Sequence, residues 1–379
     1  MKIKKIAALF LAALMTLCGC AADGGIKVRS LDLKEKNFKT LGRAYYSDGG
    51  IYCALSGTGV EFIFSGTACS VTVTGDSNSS NPSMADNQAR IAIYVNGERV
   101  IDDMIDSAVK TFDVFESDVE EEVTVRIIKL SESAMSTYCI SDITVTGGNV
   151  RPAPESDVLI EFVGDSITCG YGVDDEDCNH HFSTKTEDVT KTYAFKTAEA
   201  LGADWSMVSY SGYGIISGFT NGDVKISEQT VPQYYEKYGY TWSENPDFKP
   251  SEKEWKFSRK PDAVVINLGT NDDSYCKNIP ERCSEYQKEY VSLLKTVRKR
   301  NPDALILCVL GMMGQNLYPY VEAAVSEYSA ETGDTNVYSL MLDDREASDG
   351  FAADWHPTEA THSKAAEKLT AELKTLLGA

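Results

Sequence analysis

Three short segments of the sequence carry side chains that could act together on a carbonyl group. Ser166 stands in the turn GDSIT at 164–168, directly after an apolar run, where a serine hydroxyl can serve as a nucleophile. Asn271 follows another apolar run, in GTND, and its amide could donate to a developing oxyanion. His356 lies in ADWHP with Asp354 two residues before it, and a nucleophilic serine needs such a base and a group that holds its tautomer. Taken singly, the first segment could equally be a helix cap, and the second is better explained as a turn.

The other histidines are weaker candidates. His362 falls within a predicted helix, where we expect a structural role. His180 and His181 follow the acidic run 174–177 and Cys178, a group that could suggest a calcium or zinc site. The acids lack the alternating spacing and the glycine of a calcium loop, which favours a solvated insertion instead. No set of Cys, His and Asp has ligand spacing around the candidate site, so we expect no metal; no nucleotide-binding loop is present, and we expect no cofactor.

The elements that must position these side chains form two groups along the chain. From residue 158 onward, apolar runs that predict strands lie at 158–164, 205–210, 264–268, 304–311 and 337–340. Patterns that predict helices lie between these runs, near 192–201, 282–300 and 318–331, and after the last of them, near 358–377. This alternation predicts a three-layer α/β/α domain with a parallel sheet, in which a site forms at the carboxyl ends of the strands. The aromatic-rich segment 221–260 interrupts the pattern and is interpreted as an insertion beside the site.

The first part of the chain has only short strand patterns. Runs at 60–64 and 69–74 flank a predicted turn at 65–67, and the run 90–95 leads into Asn96-Gly97, a strong hairpin signal. Further strands are predicted at 111–115, 123–130 and 139–146. This spacing predicts an all-β jelly-roll sandwich over 26–150. The segment 147–154, with two Gly and two Pro, then reads as a linker to a catalytic domain at 155–379.

The N-terminus has the pattern of an export signal. Lys2, Lys4 and Lys5 precede an apolar run at 6–17, which is too short to span a bilayer comfortably. The run ends in Leu-Cys-Gly-Cys at 17–20, which resembles a bacterial lipobox. We therefore expect a signal peptide at 1–19, lipidation of Cys20 and a membrane-anchored lipoprotein on the bacterial cell surface. Plain secretion, with Cys20 an incidental thiol, is the alternative.

Charge and cysteine content narrow the function further. With 36 Lys+Arg against 57 Asp+Glu, the 379-residue chain has a formal charge of −21, so we expect no nucleic-acid partner. Eight cysteines follow Cys20 without any C-x-x-C pair, and Cys69, Cys139 and Cys308 lie in apolar runs typical of buried thiols. The pairing of any disulfides cannot be deduced.

The order of four motifs resembles that of a known enzyme family. GDSIT, then SGYG at 211–214, then GTND and DWHP resemble the blocks of an SGNH/GDSL hydrolase, and with the leading β domain the chain is similar to carbohydrate esterase family 2. The resemblance implies a serine esterase that hydrolyses O-acetyl esters on xylan or glucomannan. Ser166 would be the nucleophile, His356 the base and Asp354 its orienting acid, while Ser166, Gly212 and Asn271 would form the oxyanion hole.

Two departures from the wider superfamily favour family 2. The second block is Gly-Tyr-Gly at 212–214 instead of Gly-x-Asn, and the last is Asp-x-His instead of Asp-x-x-His. In some members of family 2 a backbone carbonyl replaces the acid, which leaves the role of Asp354 open. Trp355, beside the base, could form a flat wall for a sugar ring or could anchor the last helix in the core.

Two alternatives remain at this stage. The acyl ester could belong to peptidoglycan, a lipid or a small glycoside. The chain could also be a surface lipoprotein that binds glycan without catalysis, although a degenerate copy would be expected to lose at least one of Ser166, Asn271, Asp354 and His356.

Overall fold

A computed structural model describes residues 27–378, which form an antiparallel β domain followed by an α/β domain. The strands of the first domain are β1 (Val28–Ser30), β2 (Lys39–Leu41), β3 (Tyr45–Ser47), β4 (Gly50–Cys53), β5 (Gly59–Gly75), β6 (Arg90–Val95), β7 (Glu98–Met104), β8 (Val109–Lys129) and β9 (Tyr138–Pro152). They pair in the order β3, β4, β9, β5, β8, β6 and β7, with β1 on β9 and β2 on β5. All these pairings are antiparallel.

One apolar core fills this first domain. Phe62 and Val71, from opposite halves of β5, bury their side chains in it together with Ile93 of β6 and Ile143 of β9. Because both halves of the long strand face the same core, the sheet must curl around it. Asn96 and Gly97 both have positive φ, as a two-residue hairpin turn between β6 and β7 requires. The predicted all-β domain is confirmed.

Two details of the sequence prediction for this domain are wrong. The expected turn at 65–67 is the middle of β5, where the pairing with both neighbours shifts register between Gly66 and Ala68. The expected linker at 147–154 is strand as far as Pro152, which pairs with Phe62. Gly147 lies so close to Gly66 that a Cβ on Gly147 would be 2.4 Å from the Gly66 Cα. The glycines therefore let two strands approach closely and do not end the ladder.

The second domain alternates strands and helices, as expected. Its strands are β10 (Leu159–Gly164), β11 (Asp204–Ser209), β12 (Ala263–Asn267), β13 (Leu305–Met312) and β14 (Val337–Asp344), parallel throughout and ordered β11, β10, β12, β13, β14. Its helices are α1 (Ser166–Cys169), α2 (Tyr193–Ala200), α3 (Thr270–Cys276), α4 (Pro280–Arg300), α5 (Tyr318–Thr332) and α6 (Glu359–Leu377). Among residues 27–378, no helix is long and apolar enough to cross a membrane.

Helices cover both faces of this sheet. Leu294 of α4 and Val321 of α5 share one core with Ile266 of β12, whereas Leu369 of α6 packs on the opposite face with Val265 of the same strand. This is the predicted α/β/α arrangement, and it leaves the carboxyl ends of the strands free for a site.

The β domain lies against the edge strand β11. The backbone N–H of Gly42 donates to the carbonyl of Trp205 over 3.3 Å, and the Trp205 indole donates to the carbonyl of Gly57 over 2.9 Å. The segment between β11 and β12 packs beside the strand ends, where Tyr234 and Tyr240 lie against Tyr213. The aromatic insertion expected from the sequence therefore borders the site region.

Candidate active site

The nucleophile candidate is held by a sharp strand-to-helix connection. Ser166 is the first residue of α1 and follows β10 after one residue. Asp165 caps the helix, because its Oδ1 accepts a hydrogen bond from the backbone N–H of Ile167 over 3.1 Å. The side chain of Ser166 therefore stands at the carboxyl end of the sheet, and the residue is only 5% exposed.

The structure brings His356 to this hydroxyl. The Nε2 atom of His356 lies 2.9 Å from the Oγ of Ser166, and its Nδ1 lies 3.1 Å from the carbonyl oxygen of Ala353. Since a carbonyl can only accept, Nδ1 carries the proton in this hydrogen bond and Nε2 is left as the acceptor for the serine hydroxyl. This is the tautomer that a general base requires.

The carboxylate of Asp354 makes no hydrogen bond to the imidazole of His356, so the structure does not show the direct orienting contact that the family resemblance implies for Asp354. Its carboxylate accepts from the hydroxyl of Tyr171 through Oδ2 and from Nδ1 of His181 through Oδ1, the latter over 2.8 Å. Asp354 has a φ of 48°, in the left-handed region, and the turn so formed places the Ala353 carbonyl at the base. Although partial burial acts to raise it, the hydrogen bonds from Tyr171 and His181 hold the pKa of Asp354 below its usual value.

Tyr171 links Asp354 to His356, a contact that the sequence did not indicate. Its ring stacks on the imidazole of His356 with a centroid distance of 3.9 Å and an interplanar angle of 14°. The Asp354 carboxylate therefore reaches His356 only through the tyrosine on whose ring the imidazole lies. A tyrosine five residues after the nucleophile carries no recognisable signal in a single sequence, because stacking depends on the folded path of two loops.

Burial also sets the ionisation of the base. His356 is 9% exposed, and this desolvation outweighs the favourable effect of the Ala353 carbonyl and of the Asp354 charge, lowering the pKa of His356 to about 4. The imidazole is therefore neutral at neutral pH and ready to accept a proton.

Two backbone donors lie in the segments expected to form the oxyanion hole. Among residues 27–378, no group accepts a hydrogen bond from the backbone N–H of Ser166 or of Gly212. Gly212 has a φ of 79°, which a residue with a side chain rarely adopts. The third candidate, Asn271, is buried at the start of α3, where its amide donates to the carbonyl of Tyr213 over 2.9 Å and to the carboxylate of Asp165 over 3.3 Å. Asn271 thus joins the nucleophile turn to the segment after β11.

Asp272 fixes the loop that follows the Gly212 turn. This buried carboxylate accepts hydrogen bonds from the backbone N–H groups of Ile215, Ile216 and Ser217 over 2.7–3.1 Å. Burial raises the pKa of Asp272 to about 6 against the opposing effect of these donors. Asp272 directly follows Asn271, but an Asn-Asp pair after a strand indicates a turn and gives no sign that the carboxylate binds a distant loop.

The remaining candidates fall outside the Ser166–His356 pair. Trp355 is 50% exposed and packs on Phe351, so it is not the buried anchor that the alternative interpretation required. His362 is buried in α6, and its Nδ1 accepts from the backbone N–H of Tyr193, as its expected structural role requires. His180 pairs with Asp175 in the acidic insertion. Within the described part of the chain, no group of three or more potential ligands could hold a metal ion.

The eight cysteines after Cys20 carry free thiols, and Cys69, Cys139 and Cys308 are buried, as expected. Cys20 and the rest of the export signal lie outside the described residues.

The fold and the Ser–His pair define an ester hydrolase of the SGNH type, and comparison with known protein families agrees. Residues 162–364 match the model of the GDSL-like Lipase/Acylhydrolase family, and residues 40–154 match the carbohydrate esterase 2 N-terminal model. The chain belongs to the GDSL-like Lipase/Acylhydrolase family, with the β domain of the family 2 carbohydrate esterases in front. The expected class, a carboxylic ester hydrolase, is confirmed.

Three known proteins illustrate the relationship. The chain is 32% identical over 345 residues to the cellulase/esterase CelE of Acetivibrio thermocellus. The aligned region covers 89% of this chain but only 39% of CelE. It is 25% identical to an acetylxylan esterase/glucomannan deacetylase of Cellvibrio japonicus, with 90% of each chain covered. A family two carbohydrate esterase from Clostridium thermocellum in complex with cellohexaose superimposes with a TM-score of 0.76 at 28% identity, covering 90% of this chain and 99% of that one.

Proposed function

We propose that this protein removes O-acetyl groups from a hemicellulose polysaccharide, xylan or glucomannan, through an acetyl-enzyme formed on Ser166. The observation that carries this proposal is the 2.9 Å contact between the Ser166 hydroxyl and Nε2 of a buried, neutral His356 whose Nδ1–H donates to a carbonyl. Such a pair can transfer the hydroxyl proton while the serine oxygen attacks an ester.

The proposed reaction has two halves. Ser166 Oγ attacks the acetyl carbonyl and Nε2 of His356 takes its proton, which gives a tetrahedral intermediate with a negative oxygen. The backbone N–H groups of Ser166 and Gly212 would donate to that oxygen, and the amide of Asn271 would join them by exchanging its longer hydrogen bond, the 3.3 Å one to Asp165, for one to the oxyanion. The sugar hydroxyl leaves with the proton from His356, and water then attacks the acetyl-enzyme by the same route to release acetate and the free serine.

The imidazolium of His356 that forms in each half of the reaction must be stabilised. In this site no carboxylate among the described residues accepts a hydrogen bond from its Nδ1, and two other groups stabilise it. The Ala353 carbonyl accepts a hydrogen bond from the Nδ1–H of His356, and the face of the Tyr171 ring lies against the imidazole. A cation over an aromatic face is attracted by the ring quadrupole, so the stack favours the charged form that appears during turnover. We therefore propose a Ser166–His356 dyad, with Asp354 acting through Tyr171.

The substrate class is proposed from the relatives and from one exposed side chain. The Cellvibrio japonicus relative is named for acetylxylan and glucomannan, and the Clostridium thermocellum structure holds cellohexaose. Trp355, next to the base, exposes half of its surface, and a flat aromatic face of this kind suits the apolar face of a sugar ring.

Release of acetate from a panel of polymers tests the proposal. The mature protein should release acetate from acetylated xylan or glucomannan faster than from O-acetylated peptidoglycan, while Ser166→Ala should be folded and slower by several orders of magnitude, with a residual rate from the remaining site. Equal rates for wild type and Ser166→Ala would refute the nucleophile. Activity on peptidoglycan alone would refute the substrate class.

We also propose that the enzyme is exported and held at the bacterial cell surface by lipid on Cys20. The lipobox-like Leu-Cys-Gly-Cys at 17–20 after a short apolar run supports this. Expressed with its own N-terminus in a bacterial host, the wild type should partition into detergent after membrane fractionation. Cys20→Ala should lose this partition, and an unchanged distribution would refute the anchor.

A further inference from the structure

The buried carboxylate of Glu132, a residue of the β domain, contacts the catalytic domain directly beside Gly212, whose N–H is a proposed oxyanion donor. Glu132 lies in the connection between β8 and β9 and has no exposed surface. Its Oε2 accepts a hydrogen bond from the backbone N–H of Ser211 over 2.8 Å. Ser211 is the residue before Gly212, so a side chain of the first domain holds the backbone next to a proposed oxyanion donor.

Glu132 is itself held from two sides. The ammonium of Lys129, also fully buried, donates to the carbonyl oxygens of Ser131 and Glu132 over 2.7 and 2.8 Å. The backbone N–H of Glu132 donates to Oε2 of Glu187, a buried residue of the catalytic domain, over 3.0 Å. These contacts fix the backbone from which the fully buried Glu132 side chain projects, so the position of its carboxylate beside Ser211 is restricted.

The geometry around Gly212 explains why this contact matters. The peptide group that carries the Gly212 N–H lies between two peptide groups that are each anchored. On one side the Ser211 N–H donates to Glu132, and on the other the Gly212 carbonyl accepts from the backbone N–H of Phe219 over 2.8 Å. Gly212 has a positive φ and no side chain, so only the anchored peptide groups on either side of it fix the orientation of its N–H.

We propose that Glu132 is a positioning residue for the oxyanion hole, so that the β domain completes the active site of the hydrolase domain. This inference rests on the proposed function, since it takes Gly212 N–H to be an oxyanion donor. Without the acceptor at Glu132, the turn at 211–212 would be free to rotate its N–H away from the developing charge. Because that charge exists mainly in the transition state, the loss should fall on turnover and not on binding.

Steady-state kinetics of three Glu132 variants on 4-nitrophenyl acetate tests this role. Fluorophosphonate labelling of Ser166 counts the active molecules, so that kcat is expressed per reactive serine. Glu132→Ala should lower kcat by about 10- to 100-fold, below the loss of about 10²–10³ expected when a donor is removed outright, with KM changed less than threefold. Glu132→Gln, whose amide oxygen can still accept from the Ser211 N–H, should stay within threefold of wild type. Glu132→Asp, which pulls the acceptor back by one methylene, should fall between the two.

Lys39→Gln is the matched control. Lys39 is also a buried, charged residue of the β domain, and its Nζ pairs with Asp204 of the catalytic domain over 2.7 Å at the start of β11, the end of the sheet opposite Ser166. Its kcat should stay within threefold of wild type even if the midpoint of thermal unfolding falls.

Several results would overturn the inference. These are an unchanged kcat in Glu132→Ala, an equal loss in Glu132→Gln, or an equal loss in Lys39→Gln, which would assign the effect to domain docking. If Glu132→Ala does not fold, an unchanged kcat in folded Glu132→Asp has the same meaning. Failure of the proposed function is distinguishable, because it shows in the wild type and in Ser166→Ala, whatever the Glu132 variants do.

Discussion

The substitution Asp354→Ala tests whether the catalytic base depends on a carboxylate or on a backbone carbonyl. In the structure the Asp354 carboxylate contacts Tyr171 and His181, while Nδ1 of His356 donates to Ala353. Loss of an acid that directly holds the tautomer of the base lowers kcat by about 10⁴-fold. The indirect arrangement seen here predicts a far smaller effect.

The size of that effect follows from what Asp354 touches. His181 has a side chain that is 89% exposed, so its loss as a partner should not reach the base. The hydrogen bond from the Tyr171 hydroxyl is partly buried, and if its removal raised the barrier by about 1.4 kcal/mol, the rate would fall about tenfold. We therefore expect Asp354→Ala to lower kcat about three- to tenfold, since only part of that energy acts on the orientation of the imidazole.

The assay is hydrolysis of 4-nitrophenyl acetate by the two single variants, Asp354→Ala and Tyr171→Phe, and by their double variant. Because both residues act through one hydrogen bond, the two losses should not add. His181→Ala serves as the control and should retain the wild-type kcat. A loss above about 10³ in folded Asp354→Ala would refute the dyad, since it would approach the loss of about 10⁴ expected of an acid acting directly on the base.

Further predictions concern the oxyanion, the pH profile, a metal and the substrate wall. Asn271→Ala should lower kcat by about 10²–10³ with little change in KM on 4-nitrophenyl acetate. Since His356 must be neutral to accept a proton and burial lowers its pKa to about 4, kcat/KM should be lost on acidification only as the pH falls through about 4; a midpoint near 6.5 would contradict the buried base. The Ser166–His356 route needs no Lewis acid, so dialysis against a chelator should leave activity unchanged. A loss of activity that one added divalent ion restores would overturn that mechanism. Trp355→Ala should raise KM for acetylated polysaccharide but not for 4-nitrophenyl acetate.

Much of the site could be predicted from the sequence because strand ends meet in a parallel sheet. Ser166 follows β10, Gly212 follows β11 and Asn271 follows β12, so the pattern of apolar runs alone places them on one edge. His356 was found because a base was needed and only one histidine had suitable neighbours. These inferences needed chain order and residue type, both of which a sequence contains.

The parts that sequence reasoning missed depend on backbone atoms and on contacts between distant segments. Residue types could not decide between the carbonyl of Ala353 and Asp354, because every residue has a carbonyl and only the turn conformation aims it. Glu132 is 79 positions from Ser211, so nothing local links the two. The strand β5 was divided at Gly66 because a glycine between polar residues signals a turn as readily as a bulge.

The contact between the β domain and β11 also has a consequence for solubility. An uncovered edge strand offers unpaired N–H and C=O groups to any other chain, which can then add a strand of its own. Here the Gly42 N–H donates to the Trp205 carbonyl, and the Trp205 indole donates to the Gly57 carbonyl. The first domain therefore covers one edge of the parallel sheet. The hydrolase half produced alone would present that edge to its own copies, and we expect it to aggregate even where every catalytic side chain is intact.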